Sequence, residues 1–274
     1  MIRLIQIEWY KLRYYRPFWV LIALYGVLTT LICSSFMGFM VYLKNQGADF
    51  KGFDPTMIPL YDFPDIWQNL VYVAAIIKVL LAFIVVMSIF NEINHRIVRQ
   101  NVIDGLSKEE WLGTKLVFIA VIAAGATLLL FVNGLVLGWL YSHPDGYASV
   151  FQNLEILLAY FIDIFIYLCF AMMLTLLFKK GGLVIVGMLM YTLMLEPFAT
   201  LLMVDGPDEF PEYLAVIADF FPVKSLRNLV PFPYTRYIFR EVQDTLLLRS
   251  VAIALGWLFF YVSVSYFLLR KRDI

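Results

Sequence analysis

Three ionisable residues stand alone inside otherwise uncharged apolar runs: Lys78, Asp163 and Glu196. A charge at the centre of a membrane helix costs about 2.5–3.5 kcal/mol on insertion scales, so such residues face protein or water rather than lipid. Two roles are open to them. They can form a proton or ion relay or a polar substrate site, or they can form a satisfied interhelical pair with a carboxylate kept neutral by burial. Lys78 lies near the middle of its run and can meet either carboxylate; spacing along the chain does not choose between them. Pro197 directly follows Glu196, lacks an N–H, and predicts a kink where it frees a backbone carbonyl.

Other chemistry lacks its ligands. Cys33 and Cys169 both fall inside apolar runs, which argues against a disulfide framework or a thiolate metal site. His95 and His143 are far apart and flank different runs, with no HExxH pattern and no Cys/His cluster. A membrane serine protease needs a histidine within a span, and neither lies in one. No Gly-x-x-x-x-Gly-Lys-Ser/Thr loop occurs; Gly181 and Gly182 follow two lysines but lack the motif. The expectation is a non-enzymatic chain with no catalytic residue, no metal and no cofactor of its own.

The elements that must position these charges are membrane helices. Of 274 residues, 62 % are hydrophobic and 15 % charged, where soluble domains are about 45–50 % apolar and about 25 % charged. Six charge-poor runs, 17–43, 66–90, 116–141, 156–178, 183–204 and 250–269, are each long enough to cross a bilayer. The first is too long for a signal-peptide core. Only the connections 44–65 and 205–249 are long, so residues 1–274 read as one transmembrane domain of all-α, six-span class. No internal repeat is visible.

The formal net charge is zero, which argues against a nucleic-acid partner. The charges are nonetheless sorted. Residues 1–16, 91–115, 179–182 and 270–274 hold 13 Lys and Arg against 6 Asp and Glu, while the opposite loops hold 7 against 13. The positive-inside rule then places both termini in the cytoplasm.

On that basic side, Ile2, Ile5, Trp9 and Leu12 form one helical stripe among Arg3, Lys11, Arg13 and Arg16. This predicts an interfacial helix over 1–16 lying on the lipid headgroups, with Pro17 marking the bend into the first span. Between spans two and three, Ile93, Ile97, Val98 and Val102 make a short amphipathic helix that Asp104 and Gly105 would stop. Ser107 with Glu110 three residues on is a capping box that starts a new helix. A short cytoplasmic helix set between two spans follows.

Several features resemble the permease subunits of bacterial ABC-2-type ABC transporters: the Glu8, Lys11, Arg16 start, Glu92 at the exit of the second span, and the closing Leu-Arg-Lys-Arg-Asp. The best match is Arg99-Gln-Asn-Val-Ile-Asp-Gly-Leu-Ser-Lys-Glu-Glu-Trp, above all residues 100–108. The resemblance implies that the segment 91–115 carries a coupling helix, with Asn94, Arg96, Arg99, Gln100, Asn101 and Asp104 contacting a separate ATP-binding subunit. It implies that 1–16 is the elbow helix, and that a second permease copy or paralogue completes the membrane part. ATP and Mg would sit on the partner subunit, in a bacterial inner membrane.

The loop 205–249 is too apolar for simple solvation, and Pro211, Pro222, Pro231 and Pro233 would cut it into short helices. In the resembled family this region re-enters the membrane from outside before the last span. The functional expectation is the permease subunit of an ATP-driven exporter. The alternative is a self-contained ion-coupled secondary transporter or channel using Lys78, Asp163 and Glu196.

Overall fold

The computed structural model describes residues 2–45, 60–143, 149–204, 211, 213–230 and 248–271. These residues form helices and their connections. Helix α1 spans Ile2–Arg13 and α2 spans Arg16–Asn45. A bent pair follows, α3 (Ile66–Ala74) and α4 (Lys78–Asn94), then the short α5 (Ile97–Ile103) and the long α6 (Lys108–Tyr141). Helix α7 spans Glu155–Phe178; α8 (Gly181–Met190) and α9 (Glu196–Val204) are joined by a π-helical turn, Tyr191–Leu195. Two short helices, α10 (Tyr213–Ala218) and α11 (Pro222–Arg227), precede α12 (Leu248–Lys271). Five of the resulting segments are long and apolar enough to cross a membrane, and a sixth is added if the bent pair is one span. The protein is a multi-pass membrane protein.

Helix α7 lies at the centre, packed against α4, α6 and α12. One face of it carries Tyr160, Asp163 and Tyr167, spaced three and four residues apart and all buried. Lipid cannot hydrogen-bond these groups, so each finds a partner on a neighbour. Tyr160 shares a hydroxyl–hydroxyl bond with Tyr25 of α2 at 2.8 Å, and Tyr167 does the same with Thr192 of the π turn at 2.9 Å. Asp163 accepts from Lys78 of α4.

The run 66–90, expected as one span, is interrupted: α3 and α4 meet at 47°. No proline or glycine stands at the break. Instead Ile76 and Ile77 donate to the carbonyls three residues back, Val73 and Ala74, so one turn tightens to 3₁₀ geometry. In place of the kink expected at Pro197, the helix continues from Gly181 to Val204 as one span, and a π turn just before the proline, with an extra residue per turn, accommodates a ring with no N–H to give. Helix α6 begins at the capping box: Glu110 N–H donates to Ser107 Oγ at 3.0 Å and Ser107 N–H donates to the Glu110 carboxylate at 2.9 Å. It then runs unbroken for 34 residues, joining the expected span 116–141 to its cytoplasmic lead.

At the far end of α6, Gly134 and Gly138 seat aromatic rings. A Cβ at Gly134 would lie 2.4 Å from Trp67, and one at Gly138 would lie 2.2 Å from Phe63. Trp67 also stacks on Phe131 at 5.4 Å and donates to the Val150 carbonyl at 2.9 Å. These contacts fix the entry into α3. Replacing Gly138 with Ala is expected to destabilise the detergent-solubilised chain by about 1–3 kcal/mol through overpacking. Gly125→Ala, where a new Cβ meets open space, should leave the thermal unfolding midpoint unchanged or raised.

Candidate functional site

Helix α5 stands between α4 and α6 as a short, exposed element. Arg96 takes the left-handed conformation (φ 55°) and breaks it from α4, whose last residue is Asn94. Gly105 (φ +95°) and the bond from Leu106 N–H to the Asn101 carbonyl close it. Val98 faces inward and is buried. Arg96, Arg99, Gln100 and Asp104 are exposed and Asn101 is half-buried. Ile103, 77 % exposed, adds an apolar point to this polar surface. A groove of about 370 Å³ runs beside it, bounded by Val98, Arg99, Val102, Ile103, Lys108, Trp111 and Leu269.

Two lysines and two glutamates from three helices hold the base of α5. Glu92, near the end of α4, accepts Lys11 and Lys115 on one carboxylate oxygen, both at 2.9 Å, and the Trp111 indole on the other at 2.9 Å. Lys115 also donates to Glu8 of α1, and Lys11 lies 3.7 Å from the same carboxylate. The Lys115 side chain is only 1 % exposed, so its charge is sustained by carboxylates rather than water. The Trp111 and Phe118 rings, at 5.6 and 6.0 Å, complete its shell. The group is formally neutral and ties α1 to both spans that flank α5.

Farther along α4, Lys78 and Asp163 form an ion pair at 2.5 Å, both side chains buried. The Tyr167 ring lies 5.0 Å from the same ammonium. The tight turn between α3 and α4 sets Lys78 at the first position of α4, facing α7. Glu196 goes elsewhere: one carboxylate oxygen accepts the backbone N–H of Lys224 at 2.5 Å, in the first turn of α11, and Tyr191 lies beside the carboxyl. The acceptor offsets an orphan N–H at that helix start. A cavity of about 300 Å³ opens beside the pair, between the break in α3–α4 and the π turn. Among the described residues no group of three or more His, Cys, Asp or Glu could hold a metal ion.

The family model described as ABC-2 family transporter protein matches residues 67–269. The chain belongs to this family. No curated protein matches it. As an ABC-2 permease it is the membrane subunit of an ABC transporter, a role that implies an ABC ATP-binding subunit as partner.

The permease brings some of the expected residues together and separates others. Lys78 and Asp163 pair; Glu196 does not join them. Helix α1 spans Ile2–Arg13 rather than 1–16, and among its described side chains those buried are Glu8 and Leu12, while Trp9 is 50 % exposed and meets Trp19 edge-on at 6.3 Å. The side chains of Ile2 and Ile5, and the part of the long loop holding Pro231 and Pro233, lie outside the described residues. Sequence reasoning did not assemble the Glu8–Lys11–Glu92–Trp111–Lys115 group. A signal was present: Glu8 with Lys11, and Trp111 with Lys115, have the three- and four-residue spacings of one helix face.

Because this group is neutral only when complete, removing one member leaves a buried charge unpaired. Lys115→Met is expected to cost about 3–5 kcal/mol. Adding Glu8→Gln should recover a measurable part of that loss. A thermal-unfolding double-mutant cycle reads the coupling, and strict additivity would rule out the shared network.

Proposed function

We propose that this permease is half of the membrane part of an ATP-driven exporter, with α5 as its coupling helix. In this reading α3 and α4 together make one span, giving six, with both termini in the cytoplasm of a bacterial inner membrane. Helix α1 is the elbow lying on the lipid headgroups, and a second permease copy or paralogue faces it. ATP and Mg bind on the separate ATP-binding subunit.

The observation that carries the reading is the way α5 is mounted. A short helix with an exposed polar surface is clamped at both ends by left-handed residues and rooted in a buried charge group shared by α1, α4 and α6. A solvated elbow needs no such base. A push on Arg99, Gln100 or Asp104 would instead pass rigidly into α4 and α6, because buried, fully partnered charges resist independent movement. Helix α4 leads to the break at 75–77, where a change of bend would move α3 relative to α7.

The ion-coupled alternative draws on the three membrane charges. The geometry favours it less, since Lys78 is matched by Asp163 and Glu196 supports the start of α11. Proton-driven transport by the purified chain alone, abolished by Glu196→Gln, would establish it instead. For the coupled reading, co-expression with a cognate ATP-binding subunit should yield a stable complex. Replacing Arg99, Gln100 and Asp104 together by Ala should then reduce permease-stimulated ATPase activity at least about tenfold, the effect of losing roughly 1.4 kcal/mol or more of coupling. Membrane insertion should persist. Unchanged stimulation would overturn the assignment of α5.

A further inference from the structure

The cavity beside Lys78 is the place where the break between α3 and α4 faces the π turn of the continuous helix Gly181–Val204. Its wall on one side is the tight turn of α3–α4, with Tyr72 and Ile76; on the other it is the π turn, with Thr192 and Leu193. Helix α11 closes it with Leu226 and Arg227. Interrupted membrane helices cost backbone hydrogen bonds, and they persist where irregular backbone lines a cavity rather than lipid.

The lining has two parts. Most of it is aliphatic. Among the described residues the charged part of the lining is Lys78, Arg227 and Asp163. Lys78 is 5 % exposed and, among the described residues, gives one hydrogen bond, to Asp163, and an ammonium has three donors. Asp163 takes up Lys78, and Arg227, within electrostatic reach of both Asp163 and Glu196, stands exposed at the rim as a second donor. Glu196 is turned to the Lys224 N–H and does not line the space. The aliphatic wall reaches the protein surface at Ile76 and Leu193, 63 % and 53 % exposed, so the cavity opens sideways from the bundle.

We propose that this cavity binds an amphiphile with an anionic head group, a phosphate or carboxylate, entering from the side. The head lies between Arg227 and Lys78, which donate charge-assisted hydrogen bonds to it. The apolar chain lies over Ile76, Leu193 and Leu226. The site names a substrate class for the exporter reading and rests on it for that role. Binding itself requires neither ATP nor the ATP-binding subunit, so it fails or stands apart from the coupling assignment.

The test is thermal unfolding of the purified full chain in a zwitterionic detergent, titrated in turn with phosphatidylglycerol, phosphatidylcholine of the same chains, and inorganic phosphate. Phosphatidylglycerol should stabilise the wild type with a half-saturating concentration about tenfold below that of phosphatidylcholine, as a charge-assisted contact provides. Inorganic phosphate should have no effect at matched concentration. Arg227→Gln should remove the preference for phosphatidylglycerol, and Ile76→Trp, which fills the opening from an exposed position, should weaken both lipids. Equal effects of the two lipids would overturn the proposal, as would a preference that survives Arg227→Gln. Stabilisation by phosphate equal to that by phosphatidylglycerol would do the same, by showing a site for free anions.

Discussion

A bilayer interior offers neither water nor counter-ion, so every charge and hydroxyl carried into it must be met by another helix. The architecture of this permease follows from that constraint. Tyr160, Asp163 and Tyr167 make α7 a strip of polar contacts, and the partners that satisfy them are drawn from α2, α4 and the π turn. Association of apolar helices within lipid gains little from hydrophobicity, since lipid tails are as apolar as leucine. Polar pins and close ring packing against Gly134 and Gly138 therefore set which helices are neighbours.

The same constraint acts differently at the two levels of the bundle. Around Lys115 four charges cancel in a compact group, and the result is a rigid base under α5. Around Lys78 one pair cancels, Arg227 stands exposed at the rim, and a broken span faces a π turn across a cavity. The first arrangement suits an element that transmits force without yielding. The second suits an element that binds or bends, because interrupted helices have fewer bonds to break.

Much of the chain was legible because lipid imposes a length rule on apolar runs. Helix α7 follows its run within a residue, and the capping box at Ser107 and Glu110 is a local motif whose donors and acceptors lie three residues apart. The end of helix α5 was legible for the same reason, since Gly105 must supply a left-handed residue where the chain turns; its start was not, because Ile93 and Asn94, expected in it, finish α4 and Arg96 breaks the two apart. The break before Lys78 was not. The sequence Ala-Ala-Ile-Ile carries no breaker, and the tightened turn directly precedes Lys78, which meets Asp163 of α7. Trp9 shows the limit of a periodic stripe: apolar spacing marks a face, but the neighbouring Glu8 is the residue buried, because Lys115 waits for it across the interface.

By itself, then, the sequence determined that this is a helical membrane chain, where its apolar segments run, which side is basic, and that a capped short helix sits between two of them. These properties are set by residues near each other in the chain and by the hydrocarbon thickness. Only the tertiary structure decided that Lys78 pairs with Asp163 rather than Glu196, that Glu8, Lys11, Glu92 and Lys115 form one group, and that a broken span and a π turn enclose a cavity. Those choices depend on which helix faces come together. Charges separated by 85 residues in Lys78 and Asp163, or by 107 in Glu8 and Lys115, leave no mark in local spacing.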